Sequence, residues 1–416
     1  MRNSIAFVLL ILIAATFVPA QTANPSPAEA SIDEARKAIA AKPERAEAYN
    51  ALAVAFLRRA RETSDASYIQ HAEDAAKRSL QLAPDNFESQ RTQVSVLLEK
   101  HEYPKALDQA KALNRKIADD IMVYGLLTHA NAELGNYDEA EKAAQWMLNL
   151  RPGNSPALIN TAYLRELFGD PDGAYEVLDL ALQSTAPNET EESAWLLTRM
   201  ARMRLISGNA DAADNLLHRS LAAFPGYHAA LQGLAEVRVA QRRDDDAITL
   251  LKQCEQALPR AVALYHLAET LQVAGRADEA KKAFTEFQER AKAESSSKDN
   301  ANRELIFYYA DQAHQPTQAL QLAKQEVAWR HDVYTLDAYA WALHVNGQDL
   351  EARNQVETAL AVGIRDAKLF RHAGEIALKL RDLATAERDL KQSVEMNAAD
   401  SEQARVTLAS LSERGR

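Results

Sequence analysis

The sequence is poor in the residues that stabilise small secreted modules and β-sheet proteins. Only one of its 416 residues is cysteine, Cys254, so the chain cannot form an internal disulfide bond. Its 13 glycines, 13 prolines and 6% aromatic residues are too few to favour an all-β fold. Alanine, leucine, glutamate, glutamine, lysine and arginine are abundant and favour helices. These shortages predict a helical protein that is stabilised by burial alone.

Positive charge is also in short supply. The chain has 48 Lys and Arg residues against 59 Asp and Glu residues, and its formal net charge is −11. No excess of basic residues is available to neutralise phosphates, which argues against a general nucleic-acid binder. The sequence also lacks a phosphate-binding glycine loop, a nucleophile elbow and a paired metal-ligand motif. We therefore expect no catalytic residue, cofactor, metal or nucleic-acid partner.

Residues 1–20 differ from the rest of the chain. Arg2 precedes an uncharged apolar run from Ile5 to Val18, and small residues follow in the stretch that ends at Ala20. This pattern is typical of a signal peptide and predicts cleavage after Ala20. The run is shorter than the roughly 20 residues of a membrane-spanning helix, so an uncleaved anchor is the less favoured alternative. We expect export to the periplasm or the medium, with no stable membrane insertion after cleavage.

A motif recurs along the remaining chain, and its register is set by ten alanines that follow one another at intervals of about 34 residues. These alanines are Ala72, Ala106, Ala140, Ala174, Ala213, Ala247, Ala280, Ala319, Ala352 and Ala386. Five of them follow a glycine by five positions, at Gly135, Gly169, Gly208, Gly275 and Gly347. Four are followed by a proline at one constant distance further along the chain, at Pro84, Pro152, Pro225 and Pro259.

Each feature of the motif has a physical purpose in a pair of helices, A and B. The glycine can adopt the left-handed conformation that ends helix A. The alanine in helix B allows the two helices to approach closely. The proline ends helix B, because it has no N–H to donate. A lone pair cannot bury its apolar faces, so neighbouring pairs must stack into an array.

This pattern resembles the tetratricopeptide repeat family, whose period is about 34 residues. The best match is residues 121–154, "IMVYGLLTHANAELGNYDEAEKAAQWMLNLRPGN", which contain both the turn and the final proline. Residues 263–287 and 336–360 also match well, whereas 87–120 and 300–332 lack the turn glycine and the final proline. The resemblance implies an all-α fold, an α-solenoid in which helix pairs wind into a right-handed superhelix.

The repeats and their flanking segments predict a domain organisation. A flexible leader and an N-terminal capping helix occupy residues 21–45, about ten repeats occupy 46–400, and a C-terminal capping helix occupies 401–416. Polar insertions at 183–193 and 290–302 lengthen two of the intervals between register alanines and should form loops at one edge of the stack. The second insertion is also where the array would hinge if it were divided into two parts.

The resemblance further implies that the inner faces of the A helices line a concave groove. Transferring the family's inner-face positions to this sequence gives a set rich in aromatic residues, which suit contact with an extended peptide or a helix. The alternative for each ring is packing between adjacent helices. The candidate groove residues are Tyr163, Trp195, Arg202, Tyr265, Glu269, Tyr308, Tyr334, Trp341 and His344.

Two His–Glu pairs and the single cysteine have simpler explanations than a reactive site. His266 with Glu269 and His372 with Glu375 share a helix face, but no third ligand lies nearby in the sequence, so neither pair predicts a metal site. Cys254 takes a position that serine or alanine fills in other repeats, which predicts a small packing residue.

The sequence therefore predicts a non-catalytic scaffold of the cell envelope, and the expected partner is a polypeptide bound in the concave groove. The alternative is an accessory subunit of an envelope enzyme or transport complex that binds peptide or glycan. Repeats of this kind host unrelated partners, so the sequence identifies neither the partner nor the oligomeric state. The alanine-rich composition favours a bacterial origin.

Overall fold

The computed structural model describes residues 25–295, 301–396 and 401–414. Within these ranges the chain forms 22 α-helices and no β-strand. The helices are α1 Pro27–Ala41, α2 Ala46–Thr63, α3 Ser67–Leu82, α4 Phe87–Glu99, α5 Tyr103–Lys116, α6 Ile121–Glu133, α7 Tyr137–Leu150, α8 Ser155–Leu167, α9 Pro171–Ser184, α10 Thr190–Ile206, α11 Ala210–Ala223, α12 His228–Ala240, α13 Asp244–Ala257, α14 Ala261–Val273, α15 Ala277–Glu294, α16 Asn302–Phe307, α17 Pro316–Val327, α18 Val333–Val345, α19 Asp349–Leu360, α20 Ala367–Lys379, α21 Leu383–Glu395 and α22 Ser401–Arg414.

Helices α2 to α21 form ten successive pairs, each with a helix A followed by a helix B. The eighth helix A is interrupted: α16 continues into a π-helical turn, Tyr308–Gln312. Helices α1 and α22 flank the pairs. The prediction of an all-α solenoid is confirmed. The predicted signal peptide lies outside the described residues, as do positions 296–300 of the insertion considered as a hinge, and no described helix is long and apolar enough to span a membrane.

The ten alanines that set the register are all buried where helix B meets helix A. Nine of them have no exposed surface, and Ala280 is 3% exposed. A larger side chain at any of these positions would separate the two helix axes or displace the neighbouring pair. The repeat register read from the sequence is therefore the packing register of the structure.

A left-handed residue closes helix A in nine of the ten repeats, at the position five residues before the register alanine. Five of these residues are the turn glycines named above, with φ between 73° and 79°. In the repeats that lack the glycine, a bulkier residue takes the same conformation, with φ between 51° and 63°. These residues are His101, Arg242, His314 and Arg381. The turn geometry is thus kept even where the sequence signal for it is missing.

Several A helices also begin with an N-cap residue that satisfies an amide of the first turn. Asn86, Asp120, Asn154 and Asp366 each accept a hydrogen bond from the backbone N–H three residues later. Such caps stabilise a helix start by about 1 kcal/mol. The N-cap residues define where helix A begins, and the left-handed residue defines where it ends.

The later repeats pack back onto the earlier ones along a contact that we call the glycine seam. The seam consists of residues 133–137 and 168–169 on one side and 331–333 and 363–365 on the other. The backbone N–H of His331 donates to the carbonyl oxygen of Glu133 at 3.0 Å. The N–H of Val333 donates to the hydroxyl of Tyr137 at 3.1 Å. A backbone N–H is the donor in both bonds, so the seam fixes the position of the backbone at residues 331–333.

Glycines allow the two backbones of the seam to touch. A Cβ atom at Gly135 would lie 2.9 Å from the carbonyl oxygen of His331, and one at Gly169 would overlap the carbonyl oxygen of Gly363. A Cβ atom at Gly363 would in turn lie 2.9 Å from the carbonyl oxygen of Phe168. Any other residue would force the seam apart. Two of the repeat's turn glycines therefore have a second role that the other three do not share.

A second long-range contact, which we call the N-terminal contact, joins α2 and the turn after it to later repeats. The guanidinium group of Arg58 forms an ion pair with the carboxylate of Glu189. The hydroxyl of Ser64 is hydrogen-bonded to Nε2 of His228 at 2.8 Å, and Arg260 donates to the carbonyl oxygen of Ser64 at 3.3 Å. Side chains dominate this contact.

Candidate functional site

The inner helices surround a cavity of about 1060 Å³. Its walls are the A helices of six successive repeats, α10, α12, α14, α16, α18 and α20, together with the first turns of α22. The volume is at the upper end of the roughly 300–1,000 Å³ that is usual for ligand pockets. The cavity is the concave groove expected from the repeats, with its opposite walls in contact.

Two polar bridges join the opposite walls. Nη2 of Arg202 on α10 donates to the hydroxyl of Tyr334 on α18 at 3.3 Å. Nζ of Lys368 on α20 lies 3.3 Å from Oε1 of Glu269 on α14. Each bridge connects residues that are about a hundred positions or more apart in the sequence. The two bridges therefore link repeats five and seven to repeats nine and ten across the cavity.

Apolar side chains form a lip on one side of the cavity. Leu205, Val239 and Val273 lie near the C-terminal ends of α10, α12 and α14, and Val406 lies on α22. Val273 and Val406 are 46% and 65% exposed, which is high for valine. Exposed apolar groups gathered at the margin of a cavity favour contact with apolar groups of a ligand.

The charged side chains of the cavity lie about one helical turn before the lip residues on the same helices, as Glu269 lies before Val273 on α14. The ammonium group of Lys368 pairs with Glu269 and lies 4.9 Å from the ring centre of Phe307 and 5.8 Å from that of Tyr265. Nδ1 of His266 is 3.7 Å from the same glutamate. Burial alone would raise the pKa of the Glu269 carboxyl, but the positive charge of Lys368 and the hydrogen bond from His266 lower it to about 2. Glu269 is therefore ionised at neutral pH.

A buried hydrogen-bonded chain supports these charged side chains from behind. Nη2 of Arg371 lies 2.8 Å from Nε2 of His372, and a guanidinium group can only donate, so Nε2 accepts. Nδ1 of His372 therefore carries a proton and donates to Oδ1 of Asp337 at 2.7 Å. Burial raises the pKa of Asp337 to about 7, although the charges of Lys368 and Arg371 oppose the shift. These hydrogen bonds fix the orientation of the Arg371 side chain beside the cavity.

Four of the nine candidate groove residues line the cavity, and the other five lie elsewhere. The four are Arg202, Tyr265, Glu269 and Tyr334. Tyr265 is only 4% exposed, so only a small part of its ring borders the cavity. The groove exposure expected for Trp341 is wrong: it is 4% exposed, stacks on His372 at 4.2 Å between ring centres, and donates from Nε1 to Asp311 at 2.8 Å.

The remaining four candidates are half-buried at helix contacts. Tyr163 donates from its hydroxyl to Glu133 beside the glycine seam at 3.0 Å, and Trp195 packs against the core of repeats four to six. Tyr308 packs on Phe284 and Phe287. His344 is hydrogen-bonded to Asp349 at 2.6 Å. An error of one residue in transferring a helical position turns a side chain by about 100°, which explains these differences.

Sequence reasoning missed the contribution of α22 and the partner of His372. The residues 401–416 were expected only to cap the array, yet Glu402, Gln403 and Val406 line the cavity. His372 was weighed with Glu375 as a metal pair, but it bonds to Asp337. No local pattern could have indicated either contact. Among the described residues, no cluster of three His, Cys, Asp or Glu side chains could hold a metal ion.

The comparisons with known proteins agree with the repeat architecture. The family described as "Tetratricopeptide repeat" matches residues 204–260, which span the end of α10 to the end of α13. No curated protein matches the chain significantly.

Several solved structures are similar to this chain at low sequence identity. Human IFIT1 bound to m7Gppp-AAAA is 13% identical with a TM-score of 0.51, over 89% of this chain and 86% of that one. Yeast Tom70 is 14% identical with a TM-score of 0.42, over 92% of both chains. PilW, a type IV pilus biogenesis factor, is 17% identical with a TM-score of 0.44, over 49% of this chain and 93% of that one.

These similarities concern the fold and leave the ligand open. The family match covers one and a half repeats, and the same helix pair with the same buried alanine recurs ten times in the structure. The matched segment is similar to a tetratricopeptide repeat, and the helix pair that it contains has the same form as the other pairs of the described residues.

Proposed function

We propose that this protein is an exported, non-catalytic scaffold that holds a segment of a partner polypeptide in its central cavity. The observation that carries the proposal is the cavity itself, in which exposed apolar side chains lie beside charged and aromatic ones. An extended peptide presents apolar side chains, backbone N–H and C=O groups and charged groups within a few residues. Such a segment can satisfy both kinds of side chain at once.

The charges of the cavity favour a polypeptide over a nucleic acid. The IFIT1 structure holds m7Gppp-AAAA, so a protein of this fold can bind a nucleotide ligand. In the present chain, the described residues that line the cavity include seven carboxylates and only five lysine or arginine side chains. Phosphates would meet a net negative surface, and binding them would release few counterions. We therefore keep a protein as the proposed partner.

A non-catalytic role fits the way in which the acidic groups of the wall are used. Burial raises the pKa of both Asp311 and Asp337, a property that catalytic acids also show. Asp311, however, accepts from the buried indole of Trp341, and Asp337 accepts from His372. Both carboxyl groups hold wall residues in place, so we assign them a structural role.

Export remains part of the proposal, and its support is the sequence pattern of residues 1–20 alone. Mass spectrometry of the N-terminal peptide, from protein isolated from its own cells, tests it directly. A chain that starts at Gln21, found outside the cytoplasm, supports the proposal. A chain that retains residues 5–18 supports the anchored alternative instead.

The binding function is tested by matched substitutions on the two helices of one repeat. Gln232 lines the cavity from α12, whereas Gln253 is exposed on α13 outside it. We expect Gln232→Trp to fill part of the cavity and reduce crosslinking of the tagged protein to its partner in cells. Gln253→Trp adds the same side chain on the outer surface and should leave crosslinking unchanged.

The identity of what is crosslinked separates the two functional classes. A single protein captured in stoichiometric amounts, and lost only in Gln232→Trp, supports the scaffold. Glycan or cell-wall material lost in the same variant supports an accessory subunit of an envelope enzyme or transport complex. Equal capture by both variants would show that the cavity is not the binding site.

A further inference from the structure

We infer that Glu236 makes the cavity selective for a basic segment of the partner, in which a lysine or arginine lies next to an apolar side chain. This inference rests on the proposed function and specifies the chemical class of the polypeptide. It follows from the position of Glu236 among the apolar residues of the lip and from the contacts that its carboxylate makes.

Glu236 lies on the middle one of the three inner helices that form most of the lip. It is exposed and lines the cavity from α12, which packs between α10 and α14. Val239 of the lip follows it by three residues on the same face of α12. Leu205 and Val273 hold the corresponding lip positions on the two neighbouring helices. A carboxylate is thus placed beside the apolar surface of the cavity.

The carboxylate of Glu236 can accept a cation from a ligand. Among the described residues, it accepts a hydrogen bond from Nε2 of Gln232 at 3.3 Å and forms no ion pair with a lysine or arginine. Arg202 on the neighbouring α10 is engaged elsewhere, because it pairs with Glu166 at 2.8 Å. A basic group of the ligand would therefore gain a partner at Glu236 without breaking an ion pair of the protein.

The other carboxylates that line the cavity are held by the fold. Three of them pair with a lysine or arginine, two accept a hydrogen bond from a buried tryptophan or histidine ring, and one caps the start of α20. These residues are Glu269, Glu304, Asp311, Asp337, Asp366 and Glu402. A ligand could use any of them only by breaking or sharing an existing interaction. Glu236 is therefore the lining carboxylate best suited to recognise a ligand cation.

A lysine or arginine fits the surroundings of Glu236 along its whole length. The stem of either side chain is apolar, and its charged head can extend past an apolar surface to reach a carboxylate. The lip would bury the stem and the neighbouring apolar side chain of the segment, while Glu236 would pair with the head. An acidic side chain in the same place would be repelled by Glu236.

Arg365 is the residue of the cavity that would favour an acidic segment. It is exposed and, like Glu236, forms no ion pair with another described residue. It lies in the turn before α20 beside the glycine seam, where its Cγ is 3.8 Å from the position of a Cβ at Gly169. The lip residues lie on other helices, and the excess of carboxylates in the cavity opposes an acidic ligand. The selectivity is therefore assigned to Glu236.

The first test selects peptides from a random linear library on the purified protein. Peptides are kept only if binding is lost in Gln232→Trp and retained in Gln253→Trp. We expect the kept peptides to be enriched in lysine and arginine next to apolar residues, relative to the unselected library. Enrichment in acidic residues, or no bias of charge, would overturn the inference while leaving the proposed function in place. Failure to obtain any cavity-dependent peptide would overturn both.

The second test compares two variants that each remove one negative charge. Glu236→Gln changes the cavity, whereas Glu176→Gln changes an exposed residue on α9 that does not line it. The probes are one selected peptide and a version of it in which each lysine or arginine is replaced by glutamine. We expect Glu236→Gln to weaken binding of the basic peptide about fivefold, the effect of one exposed ion pair, and to leave the neutral version unchanged. Glu176→Gln should change neither affinity.

The salt dependence of binding separates recognition of charge from a change in the shape of the cavity. The affinity of the basic peptide for the parent protein should fall as salt is raised to about 1 M, because an exposed ion pair is screened. In Glu236→Gln the fall should be smaller. Equal weakening of both peptides by Glu236→Gln, with the salt dependence unchanged, would show that Glu236 shapes the cavity without recognising the charge of the ligand, and it would overturn the inference.

Discussion

Two of the regions in which the chain meets itself across its superhelical turns are the glycine seam and the N-terminal contact, and they are built differently. The glycine seam depends on close approaches of two backbones at residues that have no side chain, and one of its hydrogen bonds joins the N–H of Val333 to the hydroxyl of Tyr137. The N-terminal contact joins Arg58 to Glu189 and Ser64 to His228 through polar side chains. The seam borders the central cavity, whereas none of the residues of the N-terminal contact lines it.

The two contacts should differ in how strongly they respond to pH and salt. Backbone contacts respond little to pH or salt, because amide and carbonyl groups do not titrate and form no ion pair. Ion pairs and a half-buried histidine respond to both. The glycine seam is therefore less sensitive to its surroundings, and the contact that joins the N-terminal repeats to the rest is more sensitive. Four predictions test this contrast, from the largest expected effect to the smallest.

Replacing a seam glycine should cost more stability than replacing an open one. Gly169 and Gly208 have φ of 77° and 79° in the same turn position, so alanine should introduce a similar backbone strain of about 1–2 kcal/mol at either. Nothing lies within 4 Å of a Cβ added at Gly208, whereas one at Gly169 overlaps Gly363. We expect Gly169→Ala to lose about 1–3 kcal/mol more than Gly208→Ala in denaturant titrations followed by circular dichroism. Equal losses would mean that the seam does not form in solution.

Acid should weaken the N-terminal contact through His228. Burial and the nearby charge of Arg260 lower the pKa of His228 from 6.5 to about 4. As the pH falls from 6.5 towards 4, the unfolded chain takes up a proton that the folded chain refuses, so stability decreases in this window. The loss should be on the order of 2 kcal/mol, since the ring is only partly buried.

The variant His228→Gln removes this titration and tests its size. Its stability relative to the parent should increase as the pH is lowered through the same window, as measured by thermal melts at several pH values. Gly169→Ala serves as the comparison, because it changes no titratable group and its difference from the parent should stay constant. A constant difference for His228→Gln as well would remove His228 as the source of acid sensitivity.

Salt should weaken the ion pair of the same contact by a smaller amount. Arg58 and Glu189 have side chains that are 20% and 29% exposed, so their coupling should be about 1 kcal/mol and should decrease as salt is raised to about 1 M. A double-mutant cycle with Arg58→Met and Glu189→Gln measures that coupling directly. If the coupling free energy did not change with salt, the ion pair would be less exposed to solvent than the structure shows.

The smallest effect is expected where a bulky residue occupies an open left-handed turn. Arg381 has φ of 63° and an exposed side chain, and it lies in the turn between α20 and α21. Arg381→Gly relieves the strain but increases the entropy of the unfolded chain, so a net gain of about 0.5 kcal/mol is expected in the same titrations. A net loss would indicate that the arginine makes a stabilising contact in solution.

Local features of the fold could be predicted from the sequence because they repeat. The register alanines, the turn glycines and the stop prolines recur at one spacing, and each is required by the packing of a helix pair. The repeats at 87–120 and 300–332 lack the turn glycine, yet His101 and His314 give their turns the same left-handed conformation. Packing of the flanking helices imposes that conformation even on residues that adopt it reluctantly.

The candidate site could be predicted only in part, since its residues come from different repeats. Arg202 and Tyr334 were placed on the inner face by their positions in the repeat, and they line the cavity. Trp341 was placed there by the same argument, but it is buried, because its ring stacks on His372 and its Nε1 donates to Asp311. Helical periodicity predicts which face of a helix carries a side chain, but it does not predict which residue of another repeat contacts that side chain.

The sequence alone is enough to predict the helix pairs, their register and their number, because these depend on residues within one repeat and its immediate neighbours. The folded chain is needed to show that distant repeats touch, that Gly135 and Gly169 differ from Gly208, and that α22 lines a cavity. Those outcomes depend on the small rotation between successive pairs, summed over several repeats. The residues of a single repeat do not reveal this cumulative rotation. It becomes apparent in contacts between residues nearly two hundred positions apart.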